Sequence, residues 1–506
     1  MTRSRWHVRT TAAELPKPRS TLTPNGVTLP DDWADWLRAT CQTPGTPFLL
    51  SPAFDYDTDL NDFFRTTAMV TMATTTQIGY ARDLASFLTF VNHIDRKHHW
   101  RDITDSDHLS YLHWRRHDPD GPRVSGNTWN REVAAVNRFY RWAHTAGHVR
   151  INPIPQTWRR PAPAHTGYAV SRRSDELRPA TYSHDGGRDR IQWLPLADYR
   201  RWREVGVRGF DSSGMPREGF RGRWSGRNAT YCDVMVRTGL RISEQSALTV
   251  LELPHIDTTP TGYQRFWLPG AIAKGRSARW VYVPASLVRD LATYSAFDRA
   301  DVIAAAQEKQ RYERIRHPLV VEDPERAIAT HVTGAALKRT VKVSELNWAE
   351  RQRLLIARPG GLEPAAFWLG EHGMPLSVAA WKKMFADANT RCQRAGVPLS
   401  AHAHMLRHTF AVITLEQLQR GHIAALGALE PEQRGHYTRI FGDPLDWVRR
   451  RLGHRSVVTT QIYLHALAEL EMETRMALVP DDWEIPTPDP ASADDPMTVA
   501  AAGVVL

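Results

Sequence analysis

Apolar residues recur at helical spacing in two stretches of the chain. The first runs Tyr80, Leu84, Phe87, Leu88, Val91, and the second Trp129, Val133, Val136, Tyr140, Ala143. Between them, Thr104 to Trp114 reads as a helix opened by a cap-type residue. Together they predict a small all-helical domain over 76–148. Asn152-Pro153 stops the pattern, because the residue before a proline is driven out of helical backbone, and 149–192 reads as a linker. A larger domain is expected over 193–476. It opens with a helical pattern from Leu196 to Val205, which the Gly- and Arg-rich stretch Val207 to Arg227 interrupts. Period-two alternation from Tyr263 to Pro284 then predicts paired strands around a turn at Lys274-Gly275, after which helices return. The predicted class is mainly α with a small β-sheet (α+β). Residues 1–75 form an N-terminal extension of unassigned role, with some helix near 31–40. The tail 477–506 has six acids and no base among prolines and alanines, and disorder is expected there.

Charge changes the picture in one place. The 506 residues carry 65 basic and 55 acidic side chains, a formal charge of +10. Only 8 of the bases are lysine and 57 are arginine. A GC-rich genome alone produces such a bias, but guanidinium is also the group best matched to phosphate. Sixteen arginines face eight acids within 149–230, so much of the excess sits in the linker and its surroundings. No run of about 18 apolar residues is present, which argues against a membrane span. The first twenty residues lack the apolar stretch of a secretory signal. Cys41, Cys232 and Cys392 are too far apart for a CxxC zinc site and too few for a disulfide framework, so a reducing, cytoplasmic setting is expected.

Four segments carry candidate chemistry. They are Arg237-Thr238-Gly239-Leu240-Arg241-Ile242-Ser243-Glu244, Ala273-Lys274-Gly275-Arg276 running on to Pro284, His404-Met405-Leu406-Arg407-His408-Thr409-Phe410-Ala411, and Leu452-Gly453-His454 running on to Thr459-Thr460-Gln461-Ile462-Tyr463-Leu464-His465. In content and order they resemble the signature of the tyrosine recombinase (phage integrase) family. The resemblance covers roughly 193–470, and the helical segment 76–148 resembles that family's SAM-like core-binding domain. It implies a two-domain clamp on double-stranded DNA, acting as a homotetramer on two sites, without metal or nucleotide cofactor. An accessory directionality factor and a nucleoid-associated, bacterial or phage-encoded protein also fit it.

The residue types suit the chemistry. Tyr463 is the candidate nucleophile, since a phenol can form a covalent phosphotyrosine that conserves the bond for religation. Arg241 and Arg407 are candidate clamps on the non-bridging oxygens, where two planar forks stabilise the charge of the transition state. His404 lies three residues before Arg407, on the same face of a helix, and has the titration range of a general base. The resemblance makes Lys274 the general acid toward the leaving 5′-oxygen and His454 a hydrogen-bond donor to the phosphate. Glu244, three residues after Arg241, is a candidate to orient it. A zinc site among His402, His404 and His408 is disfavoured by the fixed cation Arg407 in their midst.

Integration or excision of a mobile element is the first reading. A chromosome or plasmid dimer resolvase, a non-catalytic DNA-binding relative and a type IB topoisomerase-like enzyme remain as alternatives. The 130 residues from Lys274 to His404 are more than the family needs, and Asp301 to Arg326 reads as a helical insertion. A second excess falls around Gly421 to Asp443, and the segment from His465 to Met476 is expected to dock on a neighbouring protomer.

Overall fold

The computed structural model describes residues 5–12, 37, 39–40, 42–94, 99–158, 177–184, 191–211, 213–254, 262–332, 338–427, 443–454, 459–464 and 466. The acidic tail, the segment from His465 to Met476 apart from Ala466, most of the helix expected near 31–40 and residues 428–442 of the second excess lie outside them. Two compact units, Met1–Asp189 and Arg190–Leu506, divide the chain. No described helix is long and apolar enough to cross a membrane.

The first unit is built on the helices Thr74–Ile94, Asp105–Arg116 and Gly126–Thr145. Each capped start follows from its sequence. Thr104 and Asp107 bond reciprocally in a capping box, and the Ser125 hydroxyl accepts from the Thr128 amide. The apolar faces meet in an aromatic core of Phe87, Trp129, Phe139 and Tyr140. That core also takes Leu49, Leu60, Phe63, Phe64 and Met69, all from the stretch that periodicity set apart as an extension. Asn61 pins this segment by donating to the Leu49 carbonyl at 2.9 Å and accepting from the Leu49 amide at 2.7 Å. The strands His7–Thr10 and Pro47–Leu50 pair antiparallel beside it.

The linker's described residues 149–158 and 177–184 are docked on this unit, whereas Ile191 packs in the second. Gln156–Trp158 pairs with Leu177–Pro179. The Trp129 indole donates to the Thr181 carbonyl at 2.7 Å, and Asn130 exchanges two bonds with Ser183.

In the second unit the helix Leu196–Trp202 widens into a π-type turn over Arg203–Arg208 and stops at Gly209, whose φ is +77°. The main core lies between the helices Ser225–Thr238 and Val378–Arg394, with the Tyr231 and Trp381 rings stacked at 3.5 Å. The expected hairpin is present as Tyr263–Leu268 paired antiparallel with Arg279–Pro284. Its alternation buries Phe266, Leu268, Val281 and Val283 and leaves Trp267 and Trp280 outside.

The expected helical insertion takes a different form. A helix, Ala300–Glu308, does occupy its start, but Leu319–Val321 then opens a five-stranded sheet that continues to Pro364. The strand order is Gly361–Pro364, Leu354–Arg358, Leu319–Val321, Ile328–Val332, Lys338–Lys342, antiparallel except for the second pair. Short apolar runs such as Leu319-Val320-Val321 have no period that separates strand from buried helix, and only pairing settles their state. The sheet has its own small core, including Val321, Leu354 and Ile356. The described residues are thus mainly helical with small sheets.

Candidate active site

The four motifs meet in the second unit, and they interlock through backbone groups. The helix Ser225–Thr238 ends at Gly239, whose φ of +67° suits glycine, and a Cβ there would lie 2.4 Å from the Phe410 ring of the third motif. Gly239's carbonyl accepts a hydrogen bond from the Arg407 guanidinium, and the Leu452 carbonyl of the fourth motif accepts another. Gly453, at φ +66°, closes the helix Pro444–Leu452. A Cβ on it would meet the Ser277 hydroxyl of the hairpin at 2.7 Å. Ser277 donates to the Gly453 carbonyl at 3.2 Å, and Arg279 Nε donates to the Arg451 carbonyl at 2.8 Å. One arginine therefore joins the first, third and fourth motifs, and the second is tied to the fourth.

Arg241 precedes the short helix Ile242–Ser246 in extended backbone. Its amide donates to Glu244 Oε2 at 3.0 Å and its Nη1 to Glu244 Oε1 at 2.8 Å. Glu244 is fully buried, and Arg279 bonds it from the other side at 2.6 and 3.2 Å. Burial alone would raise the Glu244 carboxyl, but the bonds and charges of Arg279 and Arg241 outweigh it and hold it at about 2. Arg407 is only 1% exposed. Burial, then the neighbouring Arg241 cation, pushes it down to about 9. None of the ion pairs among the described residues includes Arg407, so carbonyls and the His454 ring, 3.4 Å from its Nη2, are what hold it.

His454 places its Nδ1 3.0 Å from the Thr460 hydroxyl, and burial with the Arg407 and Arg241 charges lowers it to about 4. Tyr463 lies in the helical run 459–464, 1% exposed, with its ring parallel to that of His454 at 6.3 Å. Burial pushes its phenol up to about 12, against the pull of Arg407 and Arg241. Lys274 is exposed at the hairpin tip, followed by Gly275 and Arg276 with φ of +67° and +56°. Its charge is one of those that lower His404.

His404 sits exposed at the mouth of this cluster, on the helix Ala403–Gly427, and no hydrogen bond joins it to Tyr463 among the described residues. The residue against the phenol is His408, whose Nδ1 lies 2.9 Å from the Tyr463 hydroxyl. His404 instead packs its ring on His408 at 4.3 Å. Desolvation, then the charges of Arg407, His402, Arg241 and Lys274, lowers His404.

Sequence reasoning gave His408 and Arg279 no role. Both left a signal. His408 follows His404 by four residues on one helix, and so shares its face. Arg279 begins the inward row of a strand whose next inward members are Val281 and Val283. Arg455–Val458 of the fourth motif and His465 lie outside the described residues. Among those described, no group of three or more histidine, cysteine, aspartate or glutamate side chains is arranged to hold a metal ion.

Residues 55–147 match the phage integrase N-terminal SAM-like domain. The search of curated proteins returns no match. Among solved structures the chain is similar to XerH site-specific recombinase bound to a palindromic difH substrate, at 13% identity, TM-score 0.43, covering 82% of this chain and 87% of that one. It is also similar to a lambda integrase dimer bound to a core site, at 12% identity, TM-score 0.39, covering 80% and 93%. The XerA recombinase follows at 16% identity, TM-score 0.29, covering 82% and 98%.

Proposed function

We propose that this chain, which its integrase-type SAM-like domain and four ordered motifs assign to the tyrosine recombinases, cleaves and rejoins double-stranded DNA through a 3′-phosphotyrosyl link to Tyr463. The observation that carries the proposal is a buried phenol beside two guanidiniums, one of which has no carboxylate partner among the described residues. A phosphodiester entering that space supplies the missing anion.

In this reading the Tyr463 oxygen attacks phosphorus in line with the 5′-oxygen. Arg241 and Arg407 bear on the non-bridging oxygens, where charge grows in the transition state. Arg241 is held in pose by Glu244, which Arg279 holds in turn. With the phosphate bound, His454 carries its proton on Nε2 and donates a hydrogen bond from there to the phosphate, while its Nδ1 accepts from the Thr460 hydroxyl. Lys274 protonates the departing 5′-oxygen, and the phenol proton passes to the histidine pair His404 and His408. Nothing is hydrolysed, so the link is reversible, and no metal is required. The natural outcome is integration or excision of a mobile element by a homotetramer bound to two DNA sites, assisted where needed by a directionality factor.

The test is covalent capture. A randomised library of duplexes, nicked so that the short fragment bearing the freed 5′-hydroxyl diffuses away, is incubated with the protein and denatured. Protein-linked DNA is expected, converging on one site, and Tyr463→Phe should yield none. A library that yields no adduct with the unaltered protein contradicts the proposal and leaves a DNA-binding relative in its place.

A further inference from the structure

We propose that His408 is the direct proton acceptor for the Tyr463 nucleophile, a role the motif pattern had given to His404; the inference rests on the phosphotyrosyl reading above.

The geometry is specific to His408. Its Nδ1 stands 2.9 Å from the Tyr463 hydroxyl, within the reach required of a general base before any substrate arrives. This is the only hydrogen bond of that hydroxyl among the described residues, and with the side chain 1% exposed, bulk water has little access to take the proton instead. His404, exposed at the mouth, touches the ring of His408. It is therefore placed to take a proton onward from His408 toward solvent.

The charges around His408 are those of His404, Arg407, His402 and His454, with the Tyr463 phenol facing it. Burial and these neighbours keep its imidazole neutral down to about 3, so at neutral pH the ring has a free lone pair to accept with. Burial first, and then the field of Arg407 and its neighbours, make it a weak base before substrate binds. A phosphodiester between Arg241 and Arg407 cancels part of that field and makes His408 more basic at the moment a base is needed. Substrate binding thus switches on the acceptor.

The step balances. The Tyr463 Oη–P bond forms as the P–O5′ bond breaks, the phenol proton moves to His408 Nδ1, and Lys274 gives a proton to the 5′-oxygen. Religation runs each transfer backwards.

A residue that merely positions the phenol is separated from an acceptor by acidity. His408→Asn keeps an oxygen near the place of Nδ1 but cannot carry the proton, and His408→Gln serves if the first variant folds poorly. On the duplex isolated by covalent capture, single-turnover cleavage should fall by about 10²-fold, with DNA binding within about two-fold of the parent. Replacing Tyr463 by a fluorinated tyrosine of greater phenol acidity should then restore much of the rate in the His408 variants, and should not restore it in His454→Asn. Parent-like cleavage by His408→Asn, or no gain from the fluorinated phenol, overturns the assignment. Since the parent protein must form the adduct in the same assay, failure of this inference is distinguishable from failure of the phosphotyrosyl reading.

Discussion

The first unit and the candidate site of the second both bury charge, but they neutralise it differently. Elsewhere the second unit also has matched pairs, Arg203 with Asp233 and Arg351 with Glu252. In the first unit Glu132 is bonded by Arg115 and by the Tyr111 hydroxyl at 3.1 Å, and Asp83 is paired with Arg131. Each buried acid there has its own base. In the second unit Glu244 is shared by two arginines, and Arg407 is held by carbonyls and a histidine. In a matched pair each charge offsets the burial cost of the other, whereas a buried surplus of positive charge costs stability unless an anion arrives. The first pattern is architecture. The second leaves Arg407 without a carboxylate partner among the described residues, the arrangement an anion site requires.

That contrast is breakable by exchange of one residue in each unit. Arg407→Lys retains the charge but loses the fork, and single-turnover cleavage should fall by about 10²–10³-fold, a loss far larger than the drop in melting temperature from the lost carbonyl bonds explains. Arg115→Ala should do the reverse, costing about 3 kcal/mol of stability by stranding Glu132, while cleavage by the folded fraction persists. Thermal unfolding beside a cleavage time course reads both. A catalytic loss from Arg115→Ala in folded protein would erase the distinction.

Lys274→Ala sharpens the picture at the exposed edge of the site. Cleavage should slow severely on a normal 5′-oxygen and recover on a 5′-bridging phosphorothiolate, whose sulfur leaves without a proton. Equal impairment on both substrates removes Lys274 from the general-acid role. Glu244→Gln is expected to have an intermediate effect, since Arg241 keeps its neighbour but loses its counter-charge. If the loss is one of positioning, cleavage should fall while binding of the nicked duplex stays constant.

The smallest effect concerns pH. His404, His408 and His454 are all lowered, the latter two to about 3 and 4. A lowered imidazole favours folding above its unfolded value of about 6.5, and that contribution is lost as pH falls toward the folded value. In the first unit His108, lowered to about 4 by burial, acts the same way, but Asp83, raised to about 6 by burial, has the opposite sign over nearly the same range. Three lowered histidines in the second unit face the raised Asp290 there. Acidification from pH 7 to 5 should therefore loosen the second unit more than the first, as read by amide hydrogen exchange in each. Greater loosening of the first unit would contradict this balance.

The sequence made the helices and the chemistry legible for different reasons. Strong 3.6-residue periods and the Thr104 cap were enough for the three long helices of the first unit, because local rules decide helix position. They were not enough for the segment around Leu49 to Met69 that packs on those helices. The hairpin was legible through its alternation and the Lys274-Gly275 turn. The five-stranded sheet was not, since its short runs gain their state only from partners as distant as Leu319 and Leu354. The same limit applies inside the site. Arg241, Arg407, His454 and Tyr463 stand out as motif residues, but which histidine meets the phenol is decided by the packing of 459–464 against a helix some fifty residues earlier. Arg279 was hidden by its setting in a strand, where an inward arginine has meaning only once Glu244 lies opposite it.

The most direct measurement is to identify the residue that carries the DNA. Adducts from covalent capture are digested with protease and nuclease and the modified peptide is sequenced by mass spectrometry. A single 3′-phosphonucleotide on Tyr463 is the expected result. Attachment at any other side chain, or an adduct that survives Tyr463→Phe, would contradict the assignment of this buried phenol as the nucleophile.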